Sequence, residues 1–194
     1  MRITPDEYKA LELRAHSLLA DVPLHDVWAI DLPGHSRGRT IEDLRALLAV
    51  EKLRIRNPLA KLLFALRAWL GRIFQWDRMP PQAPDKSFLH KLSSSDLAAS
   101  LVPPGTADGP FRILFVSARE SIAEIHNSTV HAFSVFALVE RHVSYRLYWA
   151  IYVRPIGRIT SWYMRLIDPF RRLIIYPAVL RQIRAAWSRA DAVA

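Results

Sequence analysis

Residues 111–153 read FRILFVSARESIAEIHNSTVHAFSVFALVERHVSYRLYWAIYV, and four runs within them alternate with a period of two. Each run mixes β-branched and aromatic residues, which is typical of strands: Phe111–Ala118, Ser121–His126, Val130–Val139 and Val143–Val153. From Ile156 to Trp187 the apolar spacing changes to that of a helix. We therefore expect an α+β fold in which a curved antiparallel sheet of at least five strands packs on one long C-terminal helix. A cavity between the two layers would be a binding site.

The residues before this block predict further helices and one strand. Thr4 precedes Pro5 and two acids, so a helix is expected from Thr4 to about Leu19. The other expected elements are a strand at Asp26–Leu32, a helix capped by Thr40 that runs to about Val50, and a helix from Asn57 to about Trp76. Residues 1–194 are therefore interpreted as a single domain.

A long connection separates these helices from the strand block. Residues 79–110 contain several turn-forming clusters, among them Pro80-Pro81, Ser93–Ser95 and Pro103–Gly105, and a short strand is expected at Phe88–Leu92. Connections of this length are unusual in a compact domain, and a lid, a covering loop and a disordered insertion are all compatible with it. The terminal helix contains Pro169 and Pro177, so kinks or breaks are expected near both.

The composition limits the chemistry and the compartment. Cysteine is absent, which excludes disulfides, thiolate metal sites and a cysteine nucleophile, and favours a cytoplasmic location. The start of the chain lacks the apolar core of a signal peptide. Leu147–Val153 and Leu173–Leu180 are the longest apolar stretches and are far shorter than the ~20 residues that span a bilayer. No cofactor or metal is expected, since no pair of histidines has metal-ligand spacing with an acidic partner.

Arginine dominates the basic charge of the chain. The net charge is +9, and ten arginines but one acid lie between Arg141 and Arg189. Arg158, Arg165 and Arg172 recur every seven residues, which predicts a basic stripe that attracts an anionic membrane or an acidic ligand. A solvated helix face is the alternative. Nucleic acid is not favoured as a partner, because the sequence has no helix-turn-helix pattern, glycine-rich loop or RNA-binding strand signature.

Several segments resemble the domain-of-unknown-function family 2867 (DUF2867). They are Asp26–Pro33, Asn57–Asp77, Glu124–Val135 and Ile156–Arg172 with the following Leu173-Ile174, so the resemblance covers about Ala15 to Trp187. That family is similar to the START-like, birch-allergen-like helix-grip superfamily, and the resemblance implies a sheet around a long C-terminal helix and an apolar pocket. The chain departs from the family pattern at Asn127 and Ala132, where the family usually has acids, and the loop before Phe111 is longer.

The pocket implied by this architecture would be lined by aromatic side chains. The candidates for ligand contact are Phe133, Tyr145, Trp149, Tyr163 and Phe170. Tyr163 and Phe170 lie on an apolar stripe of the terminal helix, and by periodicity alone such a stripe is also typical of an ordinary core. Because the implied architecture contains an apolar pocket, we rank binding of a small or medium apolar or amphipathic ligand first.

His131 and Glu124 are the candidates for acid–base chemistry. A symmetric hairpin around Asn127-Ser128 would place Glu124 directly opposite His131. The pair is either a surface cross-strand contact or a polar anchor and general base in the pocket. A cyclase or dehydratase is therefore the alternative function, and a basic module for anionic membranes or a partner protein is the third. The stretch Gly34–Arg39 is either an anion cradle before the Thr40 cap or a flexible connection.

Overall fold

The computed structural model describes residues 1–34, 38–51, 87–126, 130–155 and 168–191. Within them, six strands form one open antiparallel sheet. They are β1 (Leu24–Pro33), β2 (Ala107–Asp108), β3 (Phe111–Val116), β4 (Glu120–His126), β5 (His131–Arg141) and β6 (Ser144–Arg154). The strand order is β1-β6-β5-β4-β3-β2, so β2 to β6 form a meander and β1 pairs with β6 at one edge. The expected α+β fold with at least five antiparallel strands is confirmed.

Short helices surround the sheet. They are α1 (Pro5–Lys9), α2 (Arg14–Leu18), α3 (Ile41–Glu51), a 3-10 helix at Phe88–Lys91 and α4 (Ser94–Ala99). The described part of the C-terminal helix comprises residues 168–191 and includes α5 (Tyr176–Asp191). None of the helices in the described ranges combines the length and the apolarity needed to cross a bilayer.

The sheet is covered on both faces. On the helix face, α3 and the C-terminal helix enclose an apolar cluster that includes Trp28, Leu147, Tyr176, Ile183 and Trp187. On the N-terminal face, α1, α2 and the 3-10 helix enclose a second cluster that includes Tyr8, Leu18, Phe88, Phe133 and Tyr152. Because successive strand residues point to opposite faces, a sheet covered twice needs apolar residues at most strand positions. The arrangement of sheet and C-terminal helix is consistent with a helix-grip fold.

The C-terminal helix changes its winding between its two prolines. Residues 171–175 form a π-helical turn, and α5 follows directly from Tyr176. Pro177 has no N–H and therefore cannot donate to the carbonyl of Leu173, as an α-helix would require. A π turn at this point accommodates the missing hydrogen bond. The expected irregularity is thus a change of helix type. The expected helix start at Ile156 lies outside the described residues.

Two expected elements have a different structure. The single helix expected at Thr4–Leu19 is wrong, because α1 ends at Lys9 and α2 begins at Arg14. The Glu120 carboxylate accepts hydrogen bonds from the N–H groups of Arg14 and Ala15, and so caps the start of α2 from β4.

The strand expected at Phe88–Leu92 is also wrong, since Phe88–Lys91 is a 3-10 helix. The side chain of Ser87 accepts a hydrogen bond from the N–H of Leu89 and caps this helix. The described part of the 79–110 connection therefore contains the 3-10 helix, α4 and β2. The helix expected from Asn57 to Trp76 falls outside the described residues.

Candidate functional site

The candidate acid–base pair lies on the N-terminal face of the sheet. His131 and Glu124 are each 3% exposed, and His131 Nε2 is 3.1 Å from Glu124 Oε2. The register differs from the expected one, because Glu124 pairs with Phe133 and His131 pairs with His126. Glu124 and His131 are therefore diagonal neighbours on one face. The predicted contact is present, whereas the predicted position directly opposite is wrong.

Both oxygens of Glu124 are engaged by groups that hold the 3-10 helix. The hydroxyl of Ser87 donates to Oε1, and the N–H of Phe88 donates to Oε2 at 3.1 Å. The Phe88 ring also packs against the rings of His131 and Phe133. Glu124 thus joins β4, β5 and the segment that starts at Ser87. The arrangement is that of a structural clamp, with the carboxylate at its centre.

These contacts set the charge state of Glu124. Burial raises its pKa, but the hydrogen bonds from His131, Ser87 and the N–H of Phe88 outweigh burial and hold the pKa below its ordinary value. The carboxylate is therefore ionised near neutral pH. An ionised group that already accepts three hydrogen bonds is poorly placed to take a proton from a ligand.

A second buried carboxylate lies four residues earlier on the same strand. Glu120 is 5% exposed, and the N–H groups of Arg14 and Ala15 donate to its two oxygens at 2.7 and 3.1 Å. Burial raises the pKa of Glu120, and the two N–H groups lower it only in part. Glu120 and Glu124 therefore have similar burial and opposite pKa shifts.

The described aromatic pocket candidates lie on different faces of the sheet. Phe133 belongs to the N-terminal face, whereas Tyr145 and Trp149 belong to the helix face. Trp149 stacks on Phe136 at 5.3 Å and donates from Nε1 to Ser134 Oγ, so it forms part of the core. Phe170 is 39% exposed on the C-terminal helix. Tyr163 lies outside the described residues.

A cavity of about 360 Å³ lies at one end of the sheet, where the C-terminal end of β5 meets the start of α3. Its lining residues are Gly38, Arg39, Thr40, Ala118, Arg119, Leu138, Val139, Glu140 and Tyr145. Tyr145 is thus the pocket candidate that lines it. The cavity is at the opposite end of β5 from His131. This cavity lies beside the end of the sheet. The predicted cavity between the sheet and the C-terminal helix stays a prediction.

Close packing around Tyr145 positions one wall of the cavity. A Cβ atom on Gly34 would lie 2.8 Å from the Tyr145 ring, so only glycine fits there. The Tyr145 hydroxyl accepts a hydrogen bond from the N–H of Arg39 at 3.1 Å, and its ring contacts Trp187. Thr40 donates its N–H to the Asp43 carboxylate, which confirms the predicted cap at the start of α3.

The two arginines that line the cavity differ in their contacts. The Arg39 guanidinium stacks on the Trp187 ring and lies 3.6 Å from the Asp191 carboxylate. Arg119 is exposed and pairs with no carboxylate among the residues that the structure describes. Glu140 adds one negative charge to the wall. Arg119 is therefore the charged group of the cavity that is available to an anionic ligand.

One cluster has the geometry of a possible cation site. Oxygen and nitrogen atoms of His25, Asp26 and Asp168 lie within 4.8 Å of one another. Guanidinium groups already occupy the carboxylates: Arg172 contacts both acids, at 3.2 and 3.3 Å, and Arg2 contacts Asp26 at 3.1 Å. A cation would have to compete with these positive charges. The cluster is an ion-pair network that attaches residues 168–172 of the C-terminal helix to β1.

This network also changes the interpretation of the predicted basic stripe. Arg172 forms ion pairs with Asp26 and Asp168. Arg158 and Arg165 lie outside the described residues. The other stretch interpreted as a possible anion cradle, Gly34–Arg39, contributes Gly38 and Arg39 to the cavity.

Sequence reasoning missed the central cavity residues Arg119, Leu138 and Val139. The available signals were the hairpin turn after Arg141 and the cap at Thr40, which place two chain reversals near the same edge. No local motif shows that the turn between β3 and β4 lies beside them. This information resides in the strand order.

Comparison with known proteins identifies the family. A family model described as "Protein of unknown function (DUF2867)" matches residues 18–178, and the chain belongs to this family. No curated protein and no solved structure matches the chain. The expected resemblance to DUF2867 is confirmed.

Proposed function

We propose that this DUF2867 protein binds a small amphipathic anion in the cavity at the end of its sheet. The observation that supports the proposal most directly is the combination of an open volume of about 360 Å³ with Arg119 at its wall. Ligand pockets commonly have volumes of roughly 300 to 1,000 Å³, so the ligand is small. We also propose that the family is related to START-like proteins and that the ligand is a lipid-like, polyketide-like or aromatic compound.

The two parts of the ligand would contact different walls. Leu138, Val139 and the ring of Tyr145 offer apolar surface. Arg119 offers guanidinium N–H groups to a carboxylate, sulfonate or phosphate. Since Glu140 also lines the cavity, a ligand with several negative charges is disfavoured relative to one with a single charge.

The cyclase or dehydratase alternative, with His131 and Glu124, stays a prediction. The two side chains are 3% exposed and already share one hydrogen bond, and Glu124 accepts two more from the segment at Ser87. A reaction there would require that segment to leave the sheet. Ligand binding at the sheet end requires no such change, and for this reason we rank it first.

Two fluorescent probes test the proposal. Anilinonaphthalene sulfonate is an amphipathic anion, and N-phenylnaphthylamine has the same rings without the sulfonate. Arg119→Ala should weaken binding of the sulfonate by roughly tenfold, because a hydrogen bond to a charged group contributes about 1.5 kcal/mol or more. It should leave binding of the neutral probe almost unchanged.

Lys9→Ala is the matched control for charge. Lys9 is exposed on α1 at the N-terminal face, so its removal changes the net charge equally without touching the cavity. Equal weakening of sulfonate binding by Lys9→Ala and Arg119→Ala would contradict the proposed site. Identical loss of both probes in Arg119→Ala would contradict the role assigned to the guanidinium.

A further inference from the structure

The outward side of the C-terminal helix carries exposed apolar and basic residues together. Leu173 is 78% exposed and Phe170 is 39% exposed, and they lie three residues apart. Arg181 and Arg184 are exposed further along the same helix. The buried residues of α5 pack on the opposite side: Tyr176, Val179, Leu180, Ile183, Ala186 and Trp187. The four exposed residues therefore form one surface, which we call the outer helix surface.

The acids of this helix do not neutralise the outer helix surface. Asp168 contacts Arg171 and Arg172 in the first described turn of the helix, and Asp191 contacts Arg39 in the last. Arg181 uses its Nε to donate to the carbonyl of Pro177. Arg184 pairs with no carboxylate in the part of the chain that the structure describes. Two guanidinium groups thus remain available beside exposed apolar side chains.

We propose that the outer helix surface docks on an anionic lipid bilayer. Leu173 and Phe170 would enter the boundary between head groups and acyl chains, as apolar residues of interfacial helices do. Arg181 and Arg184 would contact lipid phosphates, and the negative surface potential would attract both. A bilayer needs no complementary pocket for a side chain as prominent as Leu173, whereas a protein partner would. This inference is independent of the proposed ligand.

Matched variants test the apolar part of the contact. The wild-type protein should sediment with vesicles that contain phosphatidylglycerol, and much less with vesicles of phosphatidylcholine alone. Leu173→Ser should reduce binding by more than roughly tenfold, given the transfer free energy of a leucine side chain. Val143→Ser should leave it unchanged, since Val143 is 80% exposed but lies in the turn between β5 and β6.

A second matched pair tests the charge. Arg184→Ala should lower binding by about fivefold, which corresponds to one basic residue at an anionic surface. Lys9→Ala removes the same charge from the opposite side of the sheet and should have little effect. Raising the salt concentration should weaken binding of the wild-type protein, because salt screens exposed charges.

The absence of cysteine permits a direct test of depth. Leu173→Cys and Val143→Cys each introduce one attachment point for a polarity-sensitive fluorophore. Emission from the label at position 173 should shift to the blue when phosphatidylglycerol vesicles are added, and emission from position 143 should not. Equal shifts at both positions, equal losses in Arg184→Ala and Lys9→Ala, or binding to acidic proteins without binding to vesicles would each overturn the proposal.

Discussion

The two faces of the sheet differ in the burial of their charged groups and in the partners of those groups. On the N-terminal face, Glu120 and Glu124 are enclosed, and each carboxylate accepts hydrogen bonds from a covering segment. On the helix side, the buried Asp26 contacts the partly exposed Arg2 and Arg172, and at the end of the sheet Arg119 stands beside an open cavity. A buried titratable pair is therefore not sufficient to indicate a reactive site. Our proposal of ligand binding rests on the open space next to Arg119, which pairs with no carboxylate in the described ranges.

Removal of Glu124 should have the largest effect on stability. Glu124→Ala would leave the hydroxyl of Ser87, the N–H of Phe88 and the ring of His131 without their shared acceptor. We expect a loss of about 3 to 5 kcal/mol in the free energy of unfolding, measured by urea denaturation. Glu124→Gln keeps an acceptor oxygen and should lose less. A loss below about 1 kcal/mol in Glu124→Ala would mean that the clamp does not hold the 3-10 helix.

Asp26→Asn should have a smaller effect, although Asp26 is 2% exposed. Its partners Arg2 and Arg172 are partly exposed and can regain water when the charge is removed. We expect a loss of about 1 to 2 kcal/mol, measured by the same denaturation method. The two faces would cease to differ if Asp26→Asn cost as much as Glu124→Ala.

The contributions of the two glutamates of β4 to the free energy of unfolding should change with pH in opposite directions. The pKa of Glu124 is lowered on folding, so its contribution is present above about pH 4.5 and is lost as pH falls through the folded pKa. The pKa of Glu120 is raised, so its contribution is present below about pH 4.5 and is lost as pH rises through the folded pKa.

The measurement is the difference in unfolding free energy between wild type and each glutamine variant across this pH range. The advantage of wild type over Glu124→Gln should grow as pH rises. Its advantage over Glu120→Gln should shrink. Parallel curves for the two variants would contradict the opposite pKa shifts.

The smallest effect on stability is expected at the cavity. Ala118 is exposed in the turn between β3 and β4, so Ala118→Phe should change the free energy of unfolding by less than about 0.5 kcal/mol. Its phenylalanine ring should nevertheless reduce the cavity volume. Thermal melting of the variant and of wild type, measured side by side, checks the expected change in stability. A large loss of stability would show that the turn is part of the core.

The periodicity of the sequence was sufficient to predict the layers of the fold, but it did not predict the contacts between them. The alternation in β5 and β6 and the helical spacing near Leu180 follow from local geometry, and these elements appear where they were expected. The break between α1 and α2 depends on Glu120, more than 100 residues away. No local pattern encodes a cap supplied by a distant strand.

The contact between Glu124 and His131 was predicted from a hairpin register that is two residues off. The contact survives because a shift of two residues keeps both side chains on the same face. Burial of the pair was not predictable from β4 and β5 alone, since the cover comes from the segment at Ser87 and Phe88. The cavity depends on three chain reversals that only the full topology brings together.

Native mass spectrometry of freshly purified protein tests the central claim most directly, because it reports whether a ligand occupies the cavity at the sheet end. Wild type, Ala118→Phe and Ala98→Phe should be compared, where Ala98 is an exposed residue of α4 that does not line the cavity. We predict the same small anionic compound on wild type and Ala98→Phe, and its loss from Ala118→Phe. Retention of that compound by Ala118→Phe, at the wild-type level, would contradict the account.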